Sequence, residues 1–146
     1  MKIKDILKVK GPEVITISEE KTLDRAIEVM VQNSIGALLV LDQEGKIKGI
    51  ITERDIMIAC NKMLDRIRET KISELTIKPL LIGNPDDTLE YAEAVMTENR
   101  IRHLPIIDGD RLVGLVSIGD IVKSISKQRK IENHYLKDYI FGKYPA

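Results

Sequence analysis

Residues 22–35 read TLDRAIEVMVQNSI, and residues 88–101 read TLEYAEAVMTENRI. Thr, Leu, Ala, Val, Met, Asn and Ile coincide in place without a gap, at an offset of 66. Downstream, LVLDQEGKIKGIITERD (39–55) aligns with PIIDGDRLVGLVSIGD (105–120) after one deletion, which moves the offset to 65. Repetition at this period means two copies of one supersecondary unit. The copies run roughly over 3–64 and 72–126. Each is too small to bury a good core alone, so the two are expected to pack together and share one.

Each copy reads strand–helix–strand–strand–helix, a mixed α+β arrangement. VITI (14–17) and PLLI (79–82) are short apolar runs that end at turn residues, so strands are expected there. Helices follow from about Thr22 and Thr88. Their apolar stripes are Ala26, Ile27, Val29 and Met30, and Leu89, Ala92, Val95 and Met96, at helical spacing. ALLVLDQEGKIKGIIT and LPIIDGDRLVGLVS read as hairpins, the second turning at Asp108-Gly109. Final helices begin near Asp55 and Asp120. The expected organisation is a first repeat at 1–64, a polar linker at 65–71, a second repeat at 72–126 and a basic helical tail at 127–146.

The chain has 146 residues, 43% apolar and 32% charged, an ordinary soluble mixture. No apolar run approaches the roughly 20 residues of a membrane span, and charges interrupt the opening MKIKDILKVKGPE, which excludes a signal peptide. A cytoplasmic protein is expected. Cys60 is the single cysteine, so an internal disulfide is impossible; with two His it makes a structural zinc site improbable. Net charge is zero, yet the chain from Ile121 carries +4 against −4 elsewhere. Three of the four Tyr and the only Phe lie in the last dozen residues, so base stacking on aromatics is nearly excluded for the body. In the tail, Ile131, Tyr135, Leu136, Tyr139 and Ile140 share a helical stripe that suits a second chain.

Two stretches repeat a chemical pattern: GIITERD (49–55) and GLVSIGD (114–120). Thr52 with Asp55, and Ser117 with Asp120, fit a capping box that needs no ligand. A helix start with free N–H groups is also an anion site, and a carboxylate beside it accepts the two hydroxyls of a ribose. Gly49 and Gly114 lie inside strands, where glycine permits close approach of a backbone or ligand.

With strand, glycine, hydroxyl and acid recurring inside a matching repeat, residues 3–126 resemble a tandem pair of CBS domains, regulatory modules named after cystathionine β-synthase. The resemblance implies two β-α-β-β-α units packed with pseudo-twofold symmetry, and clefts between them that hold adenosine-containing ligands. The family motif, Gly-h-x-Ser/Thr-x-x-Asp, carries over to Gly49, Thr52 and Asp55, and to Gly114, Ser117 and Asp120. Its Asp is expected on ribose and its hydroxyl near phosphate. The family's h-x-h-Pro segment is present in the second copy as Ile101-Arg102-His103-Leu104-Pro105. There Arg102 can pair bidentately with phosphate and His103 can donate to it. The first copy reads Ile35-Gly36-Ala37-Leu38-Leu39, without Pro or base, so the two sites are not expected to be equal.

Further expectations follow from the resemblance. The adenine edge would be read by backbone near Thr16 and Ile82, with Ile17 also expected at the nucleotide. An aliphatic base pocket would draw on Ile15, Ile17, Ile35, Ile50, Leu81, Ile101 and Leu115. Arg54 faces either phosphate or solvent. The expected function is a non-catalytic sensor of AMP, ADP or ATP, with no cofactor required, working as a homodimer and signalling to an unidentified protein partner. Membrane and nucleic-acid partners are not expected. S-adenosylmethionine, NAD(H), or protein or nucleic-acid contact through the basic tail remain alternatives. Catalysis is disfavoured: CBS pairs occur inside inosine monophosphate dehydrogenase, but its barrel needs about 250 residues.

Overall fold

A computed structural model describes residues 1–11, 13–75 and 80–132, with backbone alone at 131 and 132. Pro79 of the second expected strand, His134 and the tail stripe from Ile131 to Ile140 fall outside the described side chains. In chain order the elements are helix α1 (Ile3–Lys10), strand β1 (Thr16–Ser18), α2 (Leu23–Asn33), β2 (Ala37–Leu41), β3 (Ile47–Thr52), α3 (Glu53–Met63), α4 (Leu89–Asn99), β4 (His103–Asp108), β5 (Arg111–Ser117) and α5 (Ile118–Glu132). Two single 3₁₀ turns, Leu64–Arg66 and Ile72–Glu74, separate α3 from α4. No helix among the described residues is long and apolar enough to cross a membrane.

The chain forms two compact units. The first is Glu13–Leu81; the second joins Met1–Pro12 to the chain from Ile82. In the first unit β1 runs parallel to β2, with Ile17 opposite Val40, and β2 pairs antiparallel with β3. Helix α2 starts at Thr22 and ends at Ser34, which takes the left-handed conformation at φ 52°. It buries Leu23, Ala26 and Met30 against Leu38, Val40 and Ile51 of the sheet. In the second unit β4 and β5 form the expected hairpin, turning at Gly109 with φ 62°, where glycine carries no Cβ penalty. Helix α4 ends at Arg100 with φ 55°, the counterpart of Ser34. Leu89, Ala92, Met96, Leu104, Ile106, Val116 and Ile121 form its core.

Three expectations need correction. Leu80, Leu81 and Ile82 are in no strand: among the described residues of this stretch Gly83 alone bridges to β4, donating to the Pro105 carbonyl at 2.8 Å while its carbonyl accepts from Ile107 N at 2.9 Å. A Cβ at Gly83 would stand 2.8 Å from Leu104 Cδ2 and 2.9 Å from Ile106 Cδ1, so only glycine comes this near the hairpin. Second, the linker at 65–71, read as polar, is partly buried. Ile67 and Thr70 are buried, and Leu23 N donates to the Thr70 carbonyl at 2.9 Å, tying the segment to the start of α2. Third, among the described residues each unit buries an apolar cluster of its own, although each copy was expected to be too small for a good core.

The separate cores follow from an exchange of segments. KIKDI (2–6) opens the first repeat and KISEL (71–75) opens the second. Lys2 N donates to Asp5 Oδ2 at 2.8 Å, and Lys71 N donates to Glu74 Oε2 at 2.7 Å, so both segments close the same local box. Yet Lys2 bridges to Thr88, and Ile3 N donates to the Asp87 carbonyl at 3.0 Å. Lys71 bridges to Thr22, and Ile72 N donates to the Lys21 carbonyl at 2.9 Å. Each segment therefore completes the other repeat. Ile3 and Ile72, both fully buried, supply the apolar surface that a copy alone lacks. The sequence repeats starting at residues 1 and 72 and the packing units thus divide the chain differently.

Candidate functional site

In both units the repeated motif stands where a strand hands over to a helix. In the first, Thr52 is the N-cap of α3. Its Oγ1 accepts from Asp55 N at 3.5 Å, while Asp55 Oδ2 accepts from Thr52 N at 2.8 Å and Thr52 Oγ1 at 2.9 Å. In the second, Ser117 Oγ accepts from Asp120 N at 3.0 Å and Asp120 Oδ2 accepts from Ser117 N at 2.9 Å. Both are reciprocal capping boxes, which settle two orphan donors at each helix start. The Oδ1 atom of each aspartate takes part in none of these bonds.

The surroundings of the two boxes differ. Lys10, the last residue of α1, donates from Nζ to Asp120 Oδ2 at 2.7 Å and to the Leu115 carbonyl at 2.8 Å. Burial opposes ionisation of Asp120. The Lys10 ammonium and the Ser117 amide outweigh it and hold the carboxyl below its ordinary value. Among the described residues no basic side chain forms an ion pair with Asp55. Arg54, beside it on the first turn of α3, is exposed.

The loop before each hairpin closes on the helix start. Ile118 N donates to the Arg102 carbonyl at 2.8 Å, and Glu53 N donates to the Gly36 carbonyl at 3.1 Å. Arg102 and Gly36 are aligned positions, as are Ile118 and Glu53. The second unit therefore places an exposed guanidinium where the first places a glycine, and an aliphatic where the first places a carboxylate. A Cβ at Gly36 would lie 2.5 Å from Glu53 Oε1, so the acid rests on the bare backbone. A groove of about 360 Å³ opens beside it, walled by Ile27, Met30 and Val31 of α2 and by Ile56 of α3, with Glu53 at its edge.

The other expected site residues fall as follows. His103, half-buried, begins β4 opposite Ser117, and Pro105, buried, lies opposite Leu115. Arg102, His103, Ser117 and Asp120 thus share one end of one hairpin. Ile101 packs on the second core, its N–H bonded to the Met96 carbonyl at 3.0 Å. Thr16 pairs with Leu39, and Gly49 with Val40, inside the first sheet. Ile17 is 6% exposed and belongs to the core, so its side chain is not available to a base; Ile15 and Ile35 pack against the same cluster. Ile50 and Leu115 are half-buried strand residues, whereas Leu81 and Ile82 are exposed outside any strand. Gly114 opens room for a close approach, but Leu7 of α1 takes it: a Cβ there would stand 2.4 Å from Leu7 Cδ2.

Lys10 and Glu53 are site residues that sequence reasoning missed. Lys10 lies 110 positions before Asp120, outside both motifs. The KIKDI and KISEL similarity was the available signal, since it marks α1 as part of the repeat.

Comparison with known proteins agrees with this architecture. The CBS domain family model matches residues 3–62 and 72–127. The CBS domain-containing protein YhcV of Bacillus subtilis is 38% identical over 109 residues, covering 75% of this chain and 76% of that protein. The crystal structure of a CBS-domain-containing protein from Agrobacterium tumefaciens is 31% identical with a TM-score of 0.81, over 85% of this chain and 92% of that one. The CBS domain pair of protein MJ0100, crystallised in complex with 5′-methylthioadenosine and S-adenosyl-L-methionine, is 25% identical with a TM-score of 0.75, over 88% of this chain and 98% of that one. With two family matches spanning most of its length, this chain belongs to the CBS-domain family.

Proposed function

We propose that the protein is a non-catalytic sensor that binds an adenine nucleotide (AMP, ADP or ATP) at the Ser117–Asp120 end of the second unit. The observation that carries the reading is the gathering of charge there. Asp120 offers a carboxylate to ribose hydroxyls, while Arg102, His103 and the start of α5 lie at the same end of one hairpin. Carboxylate for a diol and cation for a phosphate are the two needs of a nucleotide. MJ0100 supports an adenosine-containing ligand. A cytoplasmic homodimer is part of the proposal; the exposed Val31 in the wall of the first unit's groove offers a second copy an apolar contact. Sensing requires that the ligand favour one of two arrangements, read by a partner protein or by the dimer itself.

A second reading has its own support. Around Asp55 stand Gly36 where the second unit has Arg102 and Glu53 where it has Ile118, which suits a neutral or cationic adenosine ligand such as S-adenosylmethionine. A thermal-shift panel of AMP, ADP, ATP, NAD and S-adenosylmethionine separates the two. A ligand at 100 times its dissociation constant stabilises by about 2.7 kcal/mol. The expected result is a shift with at least one adenine nucleotide. A shift with S-adenosylmethionine alone favours the second reading, and no shift with any member overturns both.

A further inference from the structure

We propose that Lys10 sets the ligand preference of the second unit: its ammonium holds the Asp120 carboxylate until ligand hydroxyls take that carboxylate, and it then pairs with the ligand's anionic group. The inference rests on the nucleotide reading above and adds to it a residue, a direction of selection and a hand-over.

The geometry is that of a competing donor. Lys10 Nζ bridges Asp120 Oδ2 at 2.7 Å and the Leu115 carbonyl at 2.8 Å. Oδ2 also accepts from Ser117 N at 2.9 Å, so its acceptor capacity is already engaged. A ribose diol that spreads over both carboxylate oxygens places one hydroxyl on Oδ1, outside the capping bonds, and the other on Oδ2, where it must replace the ammonium. Replacement costs little, because Lys10 is 40% and Asp120 27% exposed, and pairs this open are weak. The four-carbon stem of Lys10 turns freely, and its strongly hydrated point charge is a recognised phosphate partner. The residue ends α1 beside Gly11, where the backbone leaves the helix. A displaced Lys10 therefore places a second cation near the end of the hairpin that carries Arg102. A neutral nucleoside removes the Asp120 partner of Lys10 and returns nothing. A nucleotide returns an anion. Lys10 should thus penalise adenosine and reward AMP.

The test measures adenosine and AMP affinities by calorimetry for the wild type, Lys10→Met and Lys10→Arg. The expected result is that Lys10→Met binds adenosine more tightly and AMP more weakly, lowering the AMP-over-adenosine preference about tenfold, while Lys10→Arg retains it. If wild type binds both and Lys10→Met leaves the ratio unchanged, including by weakening both equally, the role of Lys10 is overturned and the nucleotide reading stands. If wild type binds neither, the nucleotide reading itself fails and this inference with it. Should Lys10→Met not fold, ¹³C-dimethylated wild-type protein decides: a Lys10 resonance that moves on saturation with AMP supports the hand-over, and one unmoved by bound AMP overturns it.

Discussion

The two units are the same chain fold written twice with opposite charge at one end. Each has a helix ending in a left-handed residue, Ser34 or Arg100, and a strand–helix junction locked by a capping box. Where the second unit has Arg102 and a lysine on its aspartate, the first has Gly36, Glu53 and an aspartate that bonds within its own box. The difference teaches that the repeated motif is primarily a folding device. The box is kept in both copies because both helices need a cap. The charges around it differ between the copies, and on the proposed reading they set what each copy binds.

The largest expected effect tests the exchange of segments. Ile3→Ala should cost about 2–5 kcal/mol as a buried large-to-small change. Hydrogen exchange should then show opening in α4, β4 and β5 rather than in β1–β3. Ile72→Ala should do the reverse, and loosening of the same repeat by both would break the comparison. Next is Gly114→Val, expected to cost about 1–3 kcal/mol by overpacking against Leu7. Adding Leu7→Ala should recover part of it in a double-mutant cycle of denaturant midpoints; purely additive losses would remove Leu7 as the cause.

A smaller effect concerns acid. The native Asp120 carboxyl is held below its ordinary value, so its contribution is present above the unfolded value and lost as pH falls through the native one. Asp120→Asn should lower stability near neutral pH by about 1 kcal/mol or less, given the exposure of the pair, and the gap should close in acid. A gap that widens in acid would contradict the ion pair. The smallest expected effect is Gly36→Ala. The atoms nearest its Cβ would be the far end of the exposed Glu53 side chain, which can turn aside, so a melting experiment should read a loss of about 0.5 kcal/mol or less.

Much of this was legible in the sequence because it is local. Thr22 and Thr88 mark helix starts, Gly109 marks a turn, and the spacing of Thr52 to Asp55 and Ser117 to Asp120 writes the boxes directly. What the sequence concealed is nonlocal. The burial of Ile67 and Thr70 depends on a docking surface that a polar reading of 65–71 does not reveal. That 80–82 lie outside any strand while Gly83 bridges to Ile106 is a matter of pairing across more than 20 residues. The room at Gly114 is legible as room, but its occupant, Leu7, and the cation on Asp120, Lys10, come from a helix more than 100 residues away.

The central claim is that the second unit, not the first, holds the nucleotide. Calorimetric titration of AMP into the wild type, Asp120→Ala and Asp55→Ala tests it most directly. Loss of charged hydrogen bonds should weaken binding to Asp120→Ala by about 1–3 kcal/mol, with a smaller change for Asp55→Ala. Equal and negligible changes in both variants, or a larger loss at Asp55, would contradict it.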